Sequence, residues 1–240
     1  HPYAGDLVYT AFSGSHQDAI KKGMGALPDD YDLWEVPYLS IDPKHVGRSY
    51  EAIIRVNSQS GKGGVAYLMD AEHGLDLPRQ LQVEFSRTVQ AVTESSGTEI
   101  KPAELWDVFE RTYLPDDAGI RLISSEVTST TSGGGETMTR VAAQVLVDGR
   151  HETLSGMGNG PLTALIDGLR KVLGFDVVIR GYSQHALTEG ADASAVAYVE
   201  VVDSAGGSKW GVGMDSSALD ASLRAVISAA NRLRRPAGSA

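Results

Sequence analysis

Residues 156–162, Gly-Met-Gly-Asn-Gly-Pro-Leu, lead an extended segment through alternating glycines into an amphipathic pattern. Proline at the first helical position gives up no N–H that a helix needs, and Asn159 or Gly160 suits the backbone geometry that precedes it. The N–H groups at such a helix start are unpaired and lie at the positive end of the helix dipole, so they suit an anion such as a carboxylate. A plain helix cap has the same residues, and short glycine motifs also arise by chance. A second copy favours a built feature. About fifty-five residues on, Gly211-Val212-Gly213-Met214-Asp215 leads an extended run containing Trp210 into another helix, with Leu223-Arg224 echoing Leu169-Arg170. Duplication of a strand-to-helix unit predicts two similar halves packed together, with a small-molecule site near their glycine turns.

The rest of the C-terminal half fits such a repeat. Ile120 to Thr130 and Thr139 to Val147 read as strands flanking the flexible tip Thr131-Ser132-Gly133-Gly134-Gly135, with Val141, Ala143, Val145 and Val147 alternating onto one face. A third strand near Glu152 to Met157 enters the first glycine turn, and Leu162, Leu165, Ile166, Leu169 and Val172 form a one-sided helical stripe. The order then recurs. Phe175 to Tyr182, Ala195 to Val202 and Lys209 to Met214 read as strands, and Leu219, Leu223, Val226, Ile227 and Ala230 as the inner face of a helix. Between the fourth and fifth strands, Tyr182 to Ala193 reads as a hairpin loop whose alanines and tyrosine suit an apolar pocket near the Asn159-Gly160 turn; a loop that only joins strands is the alternative.

The N-terminal half reads differently. His1 to Ser15 is a loop feeding a short buried segment, and Ser15 with Asp18 resembles a capping box ahead of Ala19, Ile20 and Met24. His16 falls in the first turn of that helix, where the dipole favours a neutral imidazole able to exchange protons; a surface histidine is the plainer reading. Trp34 to Leu39 reads as extended, and Asp42-Pro43-Lys44-His45-Val46-Gly47 as a helix or turn leading to Tyr50. Tyr38 follows a proline and precedes that turn, a place where a ring packs and its hydroxyl reaches out. Val56 to Gly64 tempts comparison with a phosphate-binding loop. It fails, because Val56 stands where that loop needs glycine and Gly63 follows Lys62 where a hydroxyl is required. Ala66 to Met69 starts a short helix. Leu81, Phe85, Val89 and Val92 after Pro78, and Leu105, Trp106, Phe109 and Tyr113 after Pro102, are core stripes of two longer ones. Leu114-Pro115-Asp116-Asp117 marks the domain boundary.

Composition limits the partners. The 240 residues carry a net charge of −10 and no basic stripe, which excludes a phosphate backbone and hence nucleic acid. Arg232, Arg234 and Arg235 complement the end of the last helix. No apolar run approaches the roughly 20 residues that cross a bilayer, so no membrane partner is expected. The absence of cysteine excludes disulfides and thiolate metal sites and is compatible with the cytoplasm. A start at His1 is expected of a fragment, a processed product or a trimmed chain.

Four stretches carry a family resemblance: Ser13-Gly14-Ser15-His16-Gln17-Asp18-Ala19-Ile20; Val36-Pro37-Tyr38-Leu39 with Asp42-Pro43; Val56 through Gly64; and Gly158-Asn159-Gly160-Pro161. Together they resemble the C-terminal part of 2-isopropylmalate synthase in its long actinobacterial form, over nearly the whole chain. The resemblance implies a homodimeric enzyme of leucine biosynthesis that condenses acetyl-CoA with 2-oxoisovalerate on a TIM barrel holding a divalent metal, magnesium or zinc, and is inhibited by L-leucine. The barrel and its His-x-His ligand pair are absent from this chain. What remains resembles an α+β arrangement: linker subdomain I (residues 1–53), helical linker subdomain II (54–114), and a leucine-binding regulatory domain (115–240) of two strand-strand-strand-helix repeats.

Residue by residue, His16 matches a histidine that reaches into the partner subunit's active site and assists acid–base chemistry. Tyr38 matches a tyrosine that relays inhibition. Asn159, Gly160, Pro161 and Leu162, with Tyr182, Ala186 and Ala193, match leucine-site positions, and Met214 in the second glycine turn is a further candidate. Leu162-Thr163 stands where the family often has Val-Asp, and Ser40 where proline is usual. The chain alone is expected to be inactive. Two alternatives stay open: a stand-alone amino-acid-binding module, and the equivalent part of a citramalate synthase.

Overall fold

The backbone follows the two sequence regimes. The computed structural model describes residues 14–28, 30–48, 62–96, 100, 102–115, 119–187 and 193–234. The stretch through Ser13, the boundary at residues 53 and 54, and the Val56–Gly61 part of the glycine-rich motif lie outside them. The chain divides into two units, His1–Phe109 and Glu110–Ala240.

The first unit is helical among the described residues. Helix α1 (Gly14–Ala26) starts ahead of Ser15, which therefore lies in the first turn instead of capping it. Helices α2 (Lys62–His73), α3 (Arg79–Ser96) and α4 (Pro102–Tyr113) follow, and α4 carries the chain across the division between the units. Leu81, Phe85 and Val89 of α3 and Leu105 and Phe109 of α4 are buried, as their spacing dictates. Phe85 meets Phe109 edge to face at 5.2 Å, an arrangement that ring quadrupoles favour. Pro43–Val46 is one turn of 3₁₀ helix, capped by the Asp42 carboxylate on the Lys44 N–H and closed by Gly47 at φ +69°.

The second unit contains two antiparallel sheets, each followed by a helix. β1 (Ile120–Thr131), β2 (Thr137–Val147) and β3 (Arg150–Gly158) form the first sheet and lead into α5 (Pro161–Leu173). β4 (Val177–Ala186), β5 (Ala195–Asp203) and β6 (Ser208–Asp215) form the second and lead into α6 (Ala218–Arg234). Val141, Ala143, Val145 and Leu154 of one sheet and Ala197, Val199 and Val201 of the other share one core with the inner faces of both helices. The repeat extends to its irregularities. β1 shifts register between Leu122 and Ser124, and β4 between Ile179 and Gly181, the same interval that separates Gly156 from Gly213 and Pro161 from Ala218. On this interval Val226, not Leu223, is the counterpart of Leu169, so the Leu-Arg echo read from sequence is out of register.

The glycines have a packing role. A Cβ on Gly156 would stand 2.1 Å from the Ala164 carbonyl oxygen, and one on Gly213 would stand 2.1 Å from that of Ala221. Only glycine lets each helix backbone lie this close to its strand.

Candidate functional site

Candidate residues occur in each unit. In the first, α1 approaches the Val36-Pro37 segment closely at Gly23, where a Cβ would lie 2.6 Å from Pro37 Cδ. The segment read as extended is a turn. Leu39 N–H donates to Val36 O at 3.4 Å, with Pro37 and Tyr38 central, and Trp34 Nε1 donates to Leu39 O at 2.9 Å. Proline presets the first central residue, and the second must take a positive φ. That residue is Tyr38, at φ +65°, a conformation that costs a side-chain-bearing residue about 1–3 kcal/mol. Its ring stacks on the His16 imidazole with centroids 4.0 Å apart and planes at 27°. Stacking fixes the plane of an imidazole while leaving its nitrogens at the edge, as proton exchange requires. Beside the turn, buried Asp42 accepts from the Tyr31 hydroxyl and from Lys44 N–H.

In the second unit the β3–α5 turn has the geometry its sequence calls for. Gly160 is the N-cap, extended at φ −169°, Pro161 follows, and no side chain caps the helix start. The N–H groups of Leu162 and Thr163 are thus left to solvent or to a ligand. Asn159 is exposed and Leu162 packs at the margin of the core. Asn159 also lines a cavity of about 540 Å³ with Thr130, Ser132, Glu136, Thr137 and Met138 of the β1–β2 hairpin.

Tyr182 to Ala186 is strand, not loop. β4 runs on to Ala186, with Tyr182 opposite Val199 and Ala186 opposite Ala195. The apolar partners on β5 extend the ladder beyond the point where the sequence of β4 turns polar. Met214 pairs with Val196 on the other side of β5, so Ala186 and Met214 share one end of this sheet, and half-buried Ala193 leads into it. Among the described residues no hydrogen bond or ring contact joins the Asn159–Leu162 turn to Tyr182, Ala186, Ala193 or Met214.

The Tyr182 ring is 47% exposed, but its hydroxyl is anchored. The hydroxyl donates to Gln184 Oε1 at 2.7 Å and lies 2.9 Å from Ser222 Oγ on α6. Ser222 is buried and also donates to Ala218 O at 2.7 Å. Neither Ser222 nor Gln184 stands out in the sequence reading. The available signal is a serine within the apolar face of α6, beside Leu223 and Val226.

The second glycine turn carries an ion pair. Arg224 Nε lies 3.0 Å from Asp215 Oδ2. Burial pushes the Asp215 carboxyl up, but the Ser217 N–H and Arg224 outweigh it and hold the group below its usual value. The Arg234 hydrogen bond and charge likewise lower Asp148. Among the described residues no three His, Asp or Glu side chains gather as metal ligands, and no helix is long and apolar enough to cross a membrane.

Two family models match the chain. Residues 6–70 match the family model of the alpha-isopropylmalate synthase post-catalytic domain-like region, and residues 99–234 match that of the LeuA allosteric (dimerisation) domain. The chain is 54% identical to the 2-isopropylmalate synthase of Mycobacterium ulcerans (strain Agy99) over 98% of its own length and 43% of the relative's. It is 54% identical to that of Mycobacterium leprae (strain TN), over 97% of this chain and 39% of the relative. For Rhodospirillum rubrum the identity is 50%, over 97% of this chain and 42% of the relative. The chain thus spans about two-fifths of the length of the curated relatives it matches. With more than half of its residues in one family match, this chain belongs to the family of the LeuA allosteric (dimerisation) domain.

Proposed function

We propose that this chain is the linker and leucine-sensing C-terminal part of a 2-isopropylmalate synthase, a transferase that condenses acetyl-CoA with 2-oxoisovalerate in leucine biosynthesis. The observation that carries the reading is the uncapped β3–α5 turn within a LeuA-family domain. Its N–H groups suit the carboxylate of an amino acid, and the anchored Tyr182 ring supplies a fixed apolar wall for a branched side chain. These two features belong to different sheets, which favours a site completed in a homodimer.

In this reading His16 assists acid–base chemistry in a partner subunit's barrel, oriented by its stack on Tyr38, and Tyr38 relays inhibition. Leucine acts by feedback, which needs a coupling free energy of about 1–3 kcal/mol between its site and the barrel. In this reading the divalent metal belongs to that barrel. The chain alone is inactive in the condensation and works in the cytoplasm.

Calorimetric titration with leucine, then isoleucine, tests the reading. Saturable leucine binding that is lost in Gly160→Val and Tyr182→Ala supports it. A folded, dimeric chain that binds neither amino acid overturns it.

A further inference from the structure

Helix α6 touches the expected effector region at one end and the entry to the second unit at the other. Near its start, Ser222 Oγ meets Tyr182 Oη at 2.9 Å, Gln184 Oε1 at 3.3 Å and Ala218 O at 2.7 Å. Farther along, Ser228 Oγ donates to Tyr113 O at 2.6 Å, and the Arg232 guanidinium lies 4.4 Å from the centroid of the Tyr113 ring. Asn231 holds Ile120 by two bonds of 2.7 Å, accepting from its N–H and donating to its carbonyl. One helix thus holds Tyr182, the last residue of α4 and the first residue of β1.

We propose that α6 transmits the state of Tyr182 to the end of α4, and that Ser222 near its start and Ser228 two turns farther on are the positioning residues. The inference rests on the leucine-sensing reading and names its route. Ser222 is a sensitive entry point because a hydroxyl has one proton, and it stands among three oxygens that can accept one. A ligand that shifts the Tyr182 hydroxyl redistributes those bonds. The body of the helix is stiff, with Ala221, Leu223, Ala225, Val226, Ala229 and Ala230 buried. It lies close on the glycine backbone of β6 at Gly211 and Gly213, and side chains tie it there: Val212 N–H donates to Ser228 Oγ at 3.3 Å and Arg232 Nη1 donates to Trp210 O at 2.6 Å, so α6 and β6 are held as one body. At the far end, a cavity of about 320 Å³ bordered by Tyr113, Leu114, Ile120, Ser228 and Asn231 leaves room for the end of α4 to take a second position. Packed interfaces shift between discrete arrangements, and a cavity is where a second one fits. From Tyr113, α4 leads across the division at Phe109 into the first unit.

Amide hydrogen exchange on the whole chain, with and without saturating leucine, tests this. The Leu114 amide donates to Glu110 O and the Ile120 amide to Asn231, so each reports on one contact. In the unaltered chain leucine changes exchange at both by about fivefold or more, the low end of ordinary coupling. Ser228→Ala and, separately, Arg232→Gln keep leucine affinity within about twofold and abolish the leucine-dependent change at Leu114. Arg232→Gln removes the guanidinium's bond to Trp210 O but leaves the Ser228 bonds with Tyr113 O and Val212 N–H in place, so it serves if the serine variant does not fold. A purely structural role would alter exchange equally with and without leucine. The route is wrong if leucine binds without changing Leu114 and Ile120, or if both variants respond as the unaltered chain does. Absence of leucine binding to the unaltered chain is a different failure, that of the effector reading, and removes the route with it.

Discussion

His16 and Tyr38 stack at 4.0 Å, and Tyr38 presents its ring from a left-handed backbone. Tyr38 is 62% exposed, so burial does not repay that conformation. Strain of this kind persists where the surrounding structure imposes it and often marks a working position. Here the imposing elements are Pro37, the Val36–Leu39 hydrogen bond and the close approach of Gly23.

Tyr38→Asn is expected to stabilise the chain by about 1 kcal/mol, because asparagine accepts a positive φ at less cost. The same change removes the stack, so the His16 ring loses its fixed plane. Urea unfolding measures the first effect and NMR of the imidazole protons the second. A variant less stable than the parent would show that the turn is not strained.

Gly156→Ala and Gly213→Ala each force a Cβ to 2.1 Å from a helix carbonyl, and overpacking of this sort costs about 1–3 kcal/mol. Gly160→Ala is the contrasting case: nothing lies within 4 Å of its Cβ and its φ of −169° suits any residue. It should cost no more than about 1 kcal/mol, the loss of a fair N-cap. Thermal unfolding of the three variants separates packing glycines from the turn glycine.

Tyr182→Phe removes one hydroxyl from the Gln184–Ser222 group and is expected to cost about 1 kcal/mol. The ring stays but is no longer tethered, so leucine affinity should fall severalfold, less than in Tyr182→Ala. Calorimetry on the two variants distinguishes anchoring from contact.

His73, stacked on Trp106 at 4.3 Å, has its pKa lowered by burial, with the Glu72 charge opposing. The unfolded chain then binds the proton more readily than the folded one. The contribution of neutral His73 is present above the usual 6.5 and is lost as pH falls through the lowered folded value. Denaturant midpoints at pH 7.5 and 5.5 should differ more for the parent than for His73→Gln.

Asp215 gives the complementary acid limb. Its folded pKa lies below the usual 3.8, so its stabilisation is present above that value and is lost as pH falls through the folded one. Asp215→Asn should flatten the loss of stability as pH falls below about 4, which acid titration followed by circular dichroism reads.

Much of this protein follows from local rules that a sequence states openly. The stripes of α3 and α5, the alternation along β2, the Asp42 cap and the Gly160-Pro161 helix start depend on neighbours a few residues away, and the structure has them where the pattern requires; on α6, Leu223, Val226, Ile227 and Ala230 are buried as read, but Leu219 in the first turn is exposed, because the turn nearest the strand lies at the edge of the core. The duplication is legible too, but its register is not, because the Leu-Arg echo competes with a bulge and a glycine contact that become visible only in three dimensions. Long-range partners decided the rest. Tyr182 became strand because Val199 lies opposite it, and its hydroxyl found Ser222, forty residues away in the chain. Tyr38 took a positive φ because a helix and an indole closed around its turn. Gly156 and Gly213 serve helix-to-sheet contact, since backbone atoms from distant residues occupy the space a side chain would need. Propensity and periodicity are properties of a segment; distances between segments are set by packing, and it is those distances that make a candidate residue into a site.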